Sequence, residues 1–126
     1  MIDNTENNTK QVYSDCIFCK IAAGEIPADI VLENARTIAF RDTNPQAPTH
    51  ILVIPRVHVE HAAMIEPSHA EIVTEMFTTA KEVAVLEKVL ERGYRLVFNV
   101  GDDAGNLVPH LHLHVIGGRP MSWPPG

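Results

Sequence analysis

Three histidines alternate with leucines near the carboxyl end of the chain. His110, His112 and His114 form a His-x-His-x-His pattern that continues into an apolar run. The alternation predicts a β-strand, on which the three imidazoles share one face at intervals of about 6.6 Å. An imidazole that is neutral near pH 7 is a competent nucleophile and afterwards a good leaving group. The pattern predicts a site in which His112 attacks a phosphate flanked by the outer two histidines.

The same three imidazoles could instead hold a metal ion. A His-x-His pair on a strand, with a third ligand, is how zinc hydrolases bind a catalytic ion that keeps an open position. Burying three imidazoles with no partner for any of them would leave costly unpaired groups. The residues alone therefore leave two chemistries open, a covalent histidine route and a metal-dependent hydrolysis.

The two cysteines of the chain, Cys16 and Cys19, have Cys-x2-Cys spacing. In a chain without a secretion signal, such a pair indicates metal or redox chemistry before a structural disulfide. The spacing suits tetrahedral zinc when two further ligands come from elsewhere, and two reduced cysteines without a metal are the alternative. His58, His61 and His69 fall at loop and helix-end positions, and we assign them no chemistry.

The composition limits the number of domains and the kinds of partner that the chain can have. The 126 residues, 45% of them hydrophobic, suffice for one domain with a single core. A net charge of -6 argues against a nucleic-acid partner. The sequence shows neither a signal peptide nor a membrane-spanning apolar run, so we expect a soluble cytoplasmic protein with no membrane partner. Residues 1–13 lack an apolar pattern and are expected to be a disordered tail before a single domain over 14–126.

The elements that position these residues follow from apolar periodicity and from turn residues. Asp15 is a suitable cap for a short helix, and Ser68 with Glu71 has the form of a capping box that opens a long one. The predicted elements are a helix over 16–23, a hairpin over 30–33 and 37–41, a strand over 50–55, a helix from 68 to 92, and strands over 94–100 and 110–116. Their order predicts an α+β domain with a mainly antiparallel sheet.

Beyond these patterns, the chain resembles the histidine triad family of nucleotide hydrolases and transferases, and within it the purine nucleoside phosphoramidase branch. The stretches that carry the likeness are Asp15-Cys-Ile-Phe-Cys-Lys-Ile21, Glu25-Ile-Pro27, Phe40-Arg-Asp42, Pro45-Gln-Ala-Pro-Thr-His50, Val53-Ile-Pro55, Gly93-Tyr-Arg95, Asn99, the three histidines and Trp123-Pro-Pro-Gly126. The resemblance implies a HIT-like fold, with a five-stranded sheet, one long helix and a short amino-terminal helix. It also implies a homodimer across which the sheet continues.

The resemblance implies an activity as well. It is the release of a purine nucleoside 5′-monophosphate, AMP or GMP, from phosphoramidates or related phosphoanhydrides through a nucleotidyl-histidine intermediate on His112. His110, His114 and His50 are implied to be catalytic with it. The residues implied to bind the nucleotide, besides His112 and His114, are Asp42, Thr43, Asn99, Leu107, Ile17, Phe18, Ile21, Phe40 and Leu52. Asp42 is expected to accept hydrogen bonds from the ribose hydroxyls. The apolar residues either form the purine pocket or only belong to the hydrophobic core.

Two departures from familiar members bear on function. Where this branch usually carries a hydroxyl side chain before the first triad histidine, this chain has Leu107, which has no proton for a leaving group. A catalytically weak nucleotide-binding regulatory or adaptor protein is therefore the alternative function. The cysteine pair is the second departure, and the likeness to bacterial members implies a structural zinc site of Cys16, Cys19, His50 and His110. The chemistry at His112 would itself require no cofactor.

Overall fold

Apart from three short 3-10 helices, two α-helices and five β-strands make up the regular structure of residues 15–126, the part of the chain that the computed structural model describes. They are α1 (Ile17–Ala22), β1 (Ile30–Glu33), β2 (Thr37–Arg41), β3 (Thr49–Pro55), α2 (Ala70–Leu86), β4 (Tyr94–Val97) and β5 (Leu113–Gly117). The expected tail over residues 1–13 lies outside the described residues. Neither helix is long and apolar enough to cross a membrane.

The five strands form one antiparallel sheet in the order β1-β2-β3-β5-β4. All seven residues of the central strand, β3, are buried, because both faces of the sheet are covered. Ile51 and Val53 pack in the cluster that contains the α2 side chains, whereas Leu52 and Ile54 pack in the cluster that contains the α1 side chains. The α+β prediction with one long and one short helix is confirmed.

The alternation of side chains along the strands decides which face carries the histidines. Leu113 and Val115 of β5 lie in the α2 cluster, so His114 between them faces the α1 side. His50 on β3 has the same parity as Leu52 and shares that side. The sheet therefore places both histidines on the α1 face, opposite the long helix.

The long helix begins later than predicted. Its capping box consists of Glu66 and His69 rather than Ser68 and Glu71, and it encloses a 3-10 turn over Pro67–His69. Pro67 lacks an N–H and has a fixed φ, which suits the first position of such a turn. The regular α-helix follows from Ala70.

The same helix ends at Leu86, well before the predicted end near residue 92. Lys88 adopts a left-handed φ of 61°. Its N–H donates to the carbonyl of Val85 at 3.1 Å, and the N–H of Val89 donates to that of Ala84 at 2.9 Å. This pair of bonds is a Schellman motif, which terminates the helix by satisfying its last carbonyls.

The strand that carries the triad also begins later than predicted, at Leu113 rather than at residue 110. Pro109 has no N–H to donate, and the amide of His110 donates to the carbonyl of Val108 at 2.9 Å instead of to a neighbouring strand. Of the three histidines, only His114 lies on β5. β4 likewise stops at residue 97, short of its predicted end.

Candidate active site

His112 is held in one tautomer by its own backbone surroundings. Its Nδ1 lies 2.7 Å from the carbonyl oxygen of His110, an atom that can only accept, so Nδ1 carries the proton and donates. The lone pair is then on Nε2, as a nucleophile attacking through that atom requires. The edge of Phe18 packs against the ring, with centroids 5.2 Å apart.

A chain of hydrogen bonds fixes the proton positions on two neighbouring histidines. The backbone N–H of Gln46 donates to Nδ1 of His50 at 3.0 Å, so a neutral His50 ring carries its proton on Nε2. This Nε2–H points to Nδ1 of His114 at 2.8 Å, with a carboxylate oxygen of Asp42 3.4 Å away. Nδ1 of His114 therefore accepts, and its proton is on Nε2.

The end of this chain of hydrogen bonds is a donor that lacks an acceptor. Nε2 of His114 is buried and has no hydrogen-bond partner in the part of the chain that the structure describes. A buried N–H without an acceptor costs roughly 1–3 kcal/mol. The rings of His114 and His112 have centroids 5.1 Å apart. An anionic oxygen placed beside the lone pair of His112 would supply the missing acceptor.

Burial keeps the paired histidines neutral near pH 7. It lowers the pKa of His114 to about 4, with smaller contributions in the same direction from His112 and His50. Burial also lowers the pKa of His50 and outweighs the opposing effect of the Asp42 carboxylate. The hydrogen-bond chain requires neutral rings. A proton on Nδ1 of His114 would face the Nε2–H of His50, and two donors cannot form a hydrogen bond with each other.

The polar residues expected to contact a nucleotide lie at the ends of strands. Asp42 follows β2, and its Oδ1 accepts the backbone N–H of Asn44 at 2.8 Å while its other oxygen faces His50. Thr43 beside it is exposed, and Asn99, two residues after the end of β4, is half-buried. The structure thus places one partly buried carboxylate next to the paired histidines.

The apolar residues expected to form a purine pocket divide into two groups. One group lies in the buried cluster on the α1 face and consists of Phe18, Ile21, Phe40 and Leu52. Within it, Phe18 and Phe40 meet edge to face with centroids 5.5 Å apart. Ile17 is 47% exposed and Leu107 is 91% exposed, and both line a different cavity beside Cys16. The structure does not bring these two residues to the buried group.

A second cluster combines Cys16, Cys19, His58 and His110. Sγ of Cys16 lies 3.2 Å from Nδ1 of His110, and Sγ of Cys19 lies 3.3 Å from Nδ1 of His58. Tetrahedral zinc, with bonds of about 2.0–2.3 Å, separates its ligand atoms by about 3.3–3.8 Å. The two thiols and two imidazoles therefore fit zinc in both donor type and spacing.

The surroundings of this cluster also fit a metal site. Nε2 of His110 lies 2.9 Å from the carbonyl oxygen of Pro55, so it donates there and turns the lone pair of Nδ1 toward the thiols. Burial, together with the neighbouring Cys16, raises the pKa of Cys19 to about 12, so binding a cation must displace its proton. A cavity of about 210 Å³ is lined by Cys16 and His58 and offers an ion a path to them.

The structure corrects the predicted zinc ligands. His50 pairs with His114 instead of facing the cysteines. His58, which was expected to have no chemical role, completes the cluster. The reason is the antiparallel pairing of β3 with β5. His50 near the start of β3 is opposite Ile116 near the end of β5, whereas His58 follows the end of β3 and so approaches His110 before the start of β5. Combining the cysteine spacing with this pairing would have identified His58.

The group of Asp42, His50 and His114 also brings metal-binding atom types together. Its hydrogen bonds oppose coordination, because a metal on Nε2 of His50 would force the proton onto Nδ1, which already faces the N–H of Gln46 at 3.0 Å. His110 meanwhile belongs to the cysteine cluster. The three triad histidines thus do not converge on one ion, and the geometry disfavours the metal-dependent interpretation.

An antiparallel sheet with alternating histidines at the start of an inner strand defines a histidine triad protein. Residues 23–121 match the HIT domain family, and the chain belongs to that family. It is 49% identical over 115 residues to the 14 kDa zinc-binding protein of Zea mays, covering 90% of this chain and 89% of the relative. It is 42% identical over 107 residues to the purine nucleoside phosphoramidase of Escherichia coli K12, covering 85% and 90%.

A solved structure shares the fold closely. It is that of a HIT family hydrolase from Legionella pneumophila Philadelphia 1, which is 49% identical in sequence and has a TM-score of 0.87. The alignment covers 89% of this chain and 100% of that chain. The expected histidine triad fold is confirmed.

Proposed function

We propose that this chain is a hydrolase that releases a purine nucleoside 5′-monophosphate from phosphoramidates or related phosphoanhydrides. The observation that carries the proposal is the buried Nε2–H of His114, which has no acceptor among residues 15–126 and lies beside the lone-pair nitrogen of His112. The names of the relatives support a hydrolase in general, and the Escherichia coli relative is named a purine nucleoside phosphoramidase.

In the first step, Nε2 of His112 attacks the phosphorus, a P–N bond forms, and the bond from phosphorus to the leaving group breaks. The Nε2–H of His114 donates to a phosphoryl oxygen and stabilises the charge that develops there. The carbonyl of His110 stabilises the positive charge on the His112 ring through Nδ1–H. Leu107 is exposed and has no acidic proton, so the leaving group takes its proton from water.

In the second step, water attacks the phosphorus of the nucleotidyl-His112 intermediate. The P–N bond breaks and its electron pair returns to Nε2, which leaves His112 neutral with its proton still on Nδ1. The attacking water loses a proton to the solvent, and the nucleoside monophosphate leaves with the new oxygen. The nucleotide is held by Asp42, which accepts hydrogen bonds from the ribose hydroxyls, and by an apolar wall that includes Phe18 and Phe40. His50 acts through His114, by keeping the proton of that ring on Nε2.

The alternative function is nucleotide binding with weak catalysis, as expected of a regulatory or adaptor protein. The observation that favours it is Leu107, since help from a general acid at the leaving group contributes roughly 10²-fold or more. In that case nucleotide affinity, rather than turnover, would be the property that depends on Asp42 and His114.

The test is AMP release from adenosine 5′-phosphoramidate by the wild-type chain, His112→Ala and a matched control, His69→Ala. His69 belongs to the capping box before α2 and contacts none of the triad residues in the hydrogen bonds of the described chain. We expect turnover in the wild type and control and none in His112→Ala. Mass spectrometry of wild-type reactions quenched with denaturant at alkaline pH, at which a nucleotidyl-histidine bond survives, should show an adduct of one nucleotidyl group per chain.

Turnover retained in His112→Ala would refute the covalent route. Nucleotide binding without turnover in the wild type would favour the regulatory alternative. A chelator separates the remaining possibility when it is added to Cys19→Ser, which lacks the proposed structural zinc. If chelation abolishes the activity that this variant retains, the result would indicate metal chemistry at the phosphate.

We also propose that the cysteine cluster holds one structural zinc ion. Two thiolates and two neutral imidazoles make a closed tetrahedral site with no open position, which is the arrangement of structural zinc. The zinc-binding name of the maize relative supports this assignment. Elemental analysis should find one zinc per chain in the wild type and none in Cys19→Ser. Zinc retained in Cys19→Ser would contradict the ligand set.

A homodimer is the third part of the proposal. β4 is an edge strand, and apolar side chains on and near it are exposed, including Leu96 at 36% and Val100 at 39%. Phe77 of α2, 46% exposed, packs against Phe98 just after β4 and extends this surface. A second copy would pair the edge and cover the apolar patch. Light scattering should give twice the chain mass, and Phe77→Asp should give the mass of one chain.

A further inference from the structure

One residue joins the cysteine cluster to the nucleophile. The ring of His110 faces Cys16 and Cys19 through Nδ1, at 3.2 Å and 3.4 Å. The carbonyl of the same residue accepts the Nδ1–H of His112 at 2.7 Å. Whatever moves the main chain at His110 therefore moves the group that sets the tautomer of His112.

The main chain at this point has little support from the sheet. β5 begins only at Leu113, so the carbonyl of His110 lies ahead of the strand ladder. Around it, the N–H of His110 donates to Val108 and the N–H of Leu111 donates to Val59. The polar contacts of the His110 ring add to these, namely the bond from Nε2 to Pro55 and the contacts of Nδ1 with the thiols. The side chain of the next residue, Leu111, is buried in the α2 cluster.

The cluster also holds Phe18, whose ring is the second group that supports the His112 ring. Cys16 caps α1, where its Sγ accepts the N–H of Cys19 at 3.3 Å, and both cysteines belong to the cluster. Phe18 lies between them in sequence and packs edge-on against the rings of His110 and His112, with centroids at 6.0 Å and 5.2 Å. A helix of six residues has little stability of its own, so its position depends on such attachments.

We propose that the cluster of Cys16, Cys19, His58 and His110 is a positioning device for His112, which it holds through the carbonyl of His110 and the ring of Phe18. Metal ligation replaces weak contacts between thiols and imidazoles by short coordinate bonds and so fixes both supports. The cluster thereby sets catalytic rate as well as stability. This inference rests on the proposed nucleophilic role of His112.

The expected kinetic signature follows from where the nucleotide is held. Asp42 and His114, which contact the nucleotide in the proposed function, are placed by β2, β3 and β5 and have no contact with the cluster in the described hydrogen bonds. Loss of ligation should raise KM only modestly, because Phe18 belongs to the proposed apolar wall and is also attached to the cluster. It should lower kcat by about 10- to 100-fold, as is usual when the support of a reacting group is removed or the group is displaced by about 1 Å.

The experiment compares wild type, His58→Ala and His58→Cys, each loaded with one equivalent of zinc and again after chelation. His58→Ala removes a ligand, whereas His58→Cys keeps four ligands of suitable types and is the matched control. Long-range ¹H–¹⁵N correlation spectra report the tautomer of His112 without requiring turnover. Far-UV circular dichroism reports the fold, and AMP release gives kcat and KM.

We expect a single Nδ1–H tautomer of His112 in zinc-loaded wild type and His58→Cys, and a mixture of tautomers in folded His58→Ala and in chelated wild type. The fall in kcat should follow the change in tautomer. An unchanged His112 tautomer in folded, metal-free protein would overturn the inference, as would a change that appears only together with loss of ellipticity. If no variant releases AMP, the proposed hydrolase function fails, whereas the tautomer spectra still decide whether the cluster positions His112.

Discussion

Two substitutions at His50 separate the two tasks of its ring. Nδ1 accepts the N–H of Gln46, and Nε2–H donates to His114. The amide of asparagine reaches the position of Nδ1, and the amide of glutamine reaches that of Nε2. His50→Asn therefore keeps the acceptor for Gln46 and loses the donor to His114, whereas His50→Gln keeps that donor.

The expected magnitude comes from the hydrogen bond between His114 and the phosphoryl oxygen. Without a donor at position 50, the proton of His114 is no longer held on Nε2, and a lone pair there would repel the anionic oxygen. Removing one donor to a developing oxyanion lowers kcat about 10²–10³-fold, or about 2.7–4 kcal/mol. We expect this loss in kcat/KM for His50→Asn. For His50→Gln we expect a loss within about tenfold, or about 1.4 kcal/mol.

The assay is kcat/KM for adenosine 5′-phosphoramidate, with urea unfolding of each variant to establish that it is folded. His69→Ala serves as a control for removal of a histidine outside the site. Equal activity of the two His50 variants, or higher activity in His50→Asn than in His50→Gln, would refute the assigned direction of the hydrogen-bond chain.

Three further predictions concern stability and metal binding. The pKa of His114 is about 4 in the folded protein and near 6.5 in the unfolded chain. Its contribution to the free energy of unfolding is therefore largest above about pH 6.5 and is lost as the pH falls toward 4. Urea midpoints should show this fall, and His114→Asn should reduce it. Glu87 receives two bonds from Arg41 at 2.9 Å and 2.8 Å, so Glu87→Gln should lower the free energy of unfolding by about 1 kcal/mol after solvent screening. Glu71→Gln, at an exposed ion pair, should leave the urea midpoint unchanged. Zinc binding should release at least one proton, seen as a buffer-dependent calorimetric enthalpy, because burial keeps the thiol of Cys19 protonated in the absence of metal.

The sheet could be predicted from sequence because its patterns are local. The hairpin over 30–33 and 37–41 appears with the predicted bounds, since β-branched and apolar runs flank a turn of polar residues. The central strand is predicted to within one residue. A short, continuous apolar run between prolines is typical of a buried strand and too short for a buried helix. The alternation at 110–115 correctly places the leucines in the core and His114 on the opposite face.

The parts of the site that the sequence did not show depend on distant backbone. Whether His50 or His58 joins the cysteines is decided by the register of β3 against β5, which no local pattern reveals. The proton position on His114 depends on the main-chain N–H of Gln46, and every residue except proline has such a group. The late start of β5 reflects loop hydrogen bonds, such as that from His110 to Val108, in addition to the missing N–H of Pro109.

The strand order also governs when the protein can fold during its synthesis. β5, at residues 113–117 of 126, is an inner strand between β3 and β4. Until it leaves the ribosome, β3 has an unpaired edge and β4 has no neighbour in the sheet. The sheet, the core on the α2 side and the histidine pair are therefore completed together, and only after residue 117 has left the ribosome. A chain truncated before residue 113 would lack all three, and its exposed strand edge would make it a substrate for chaperones and proteases.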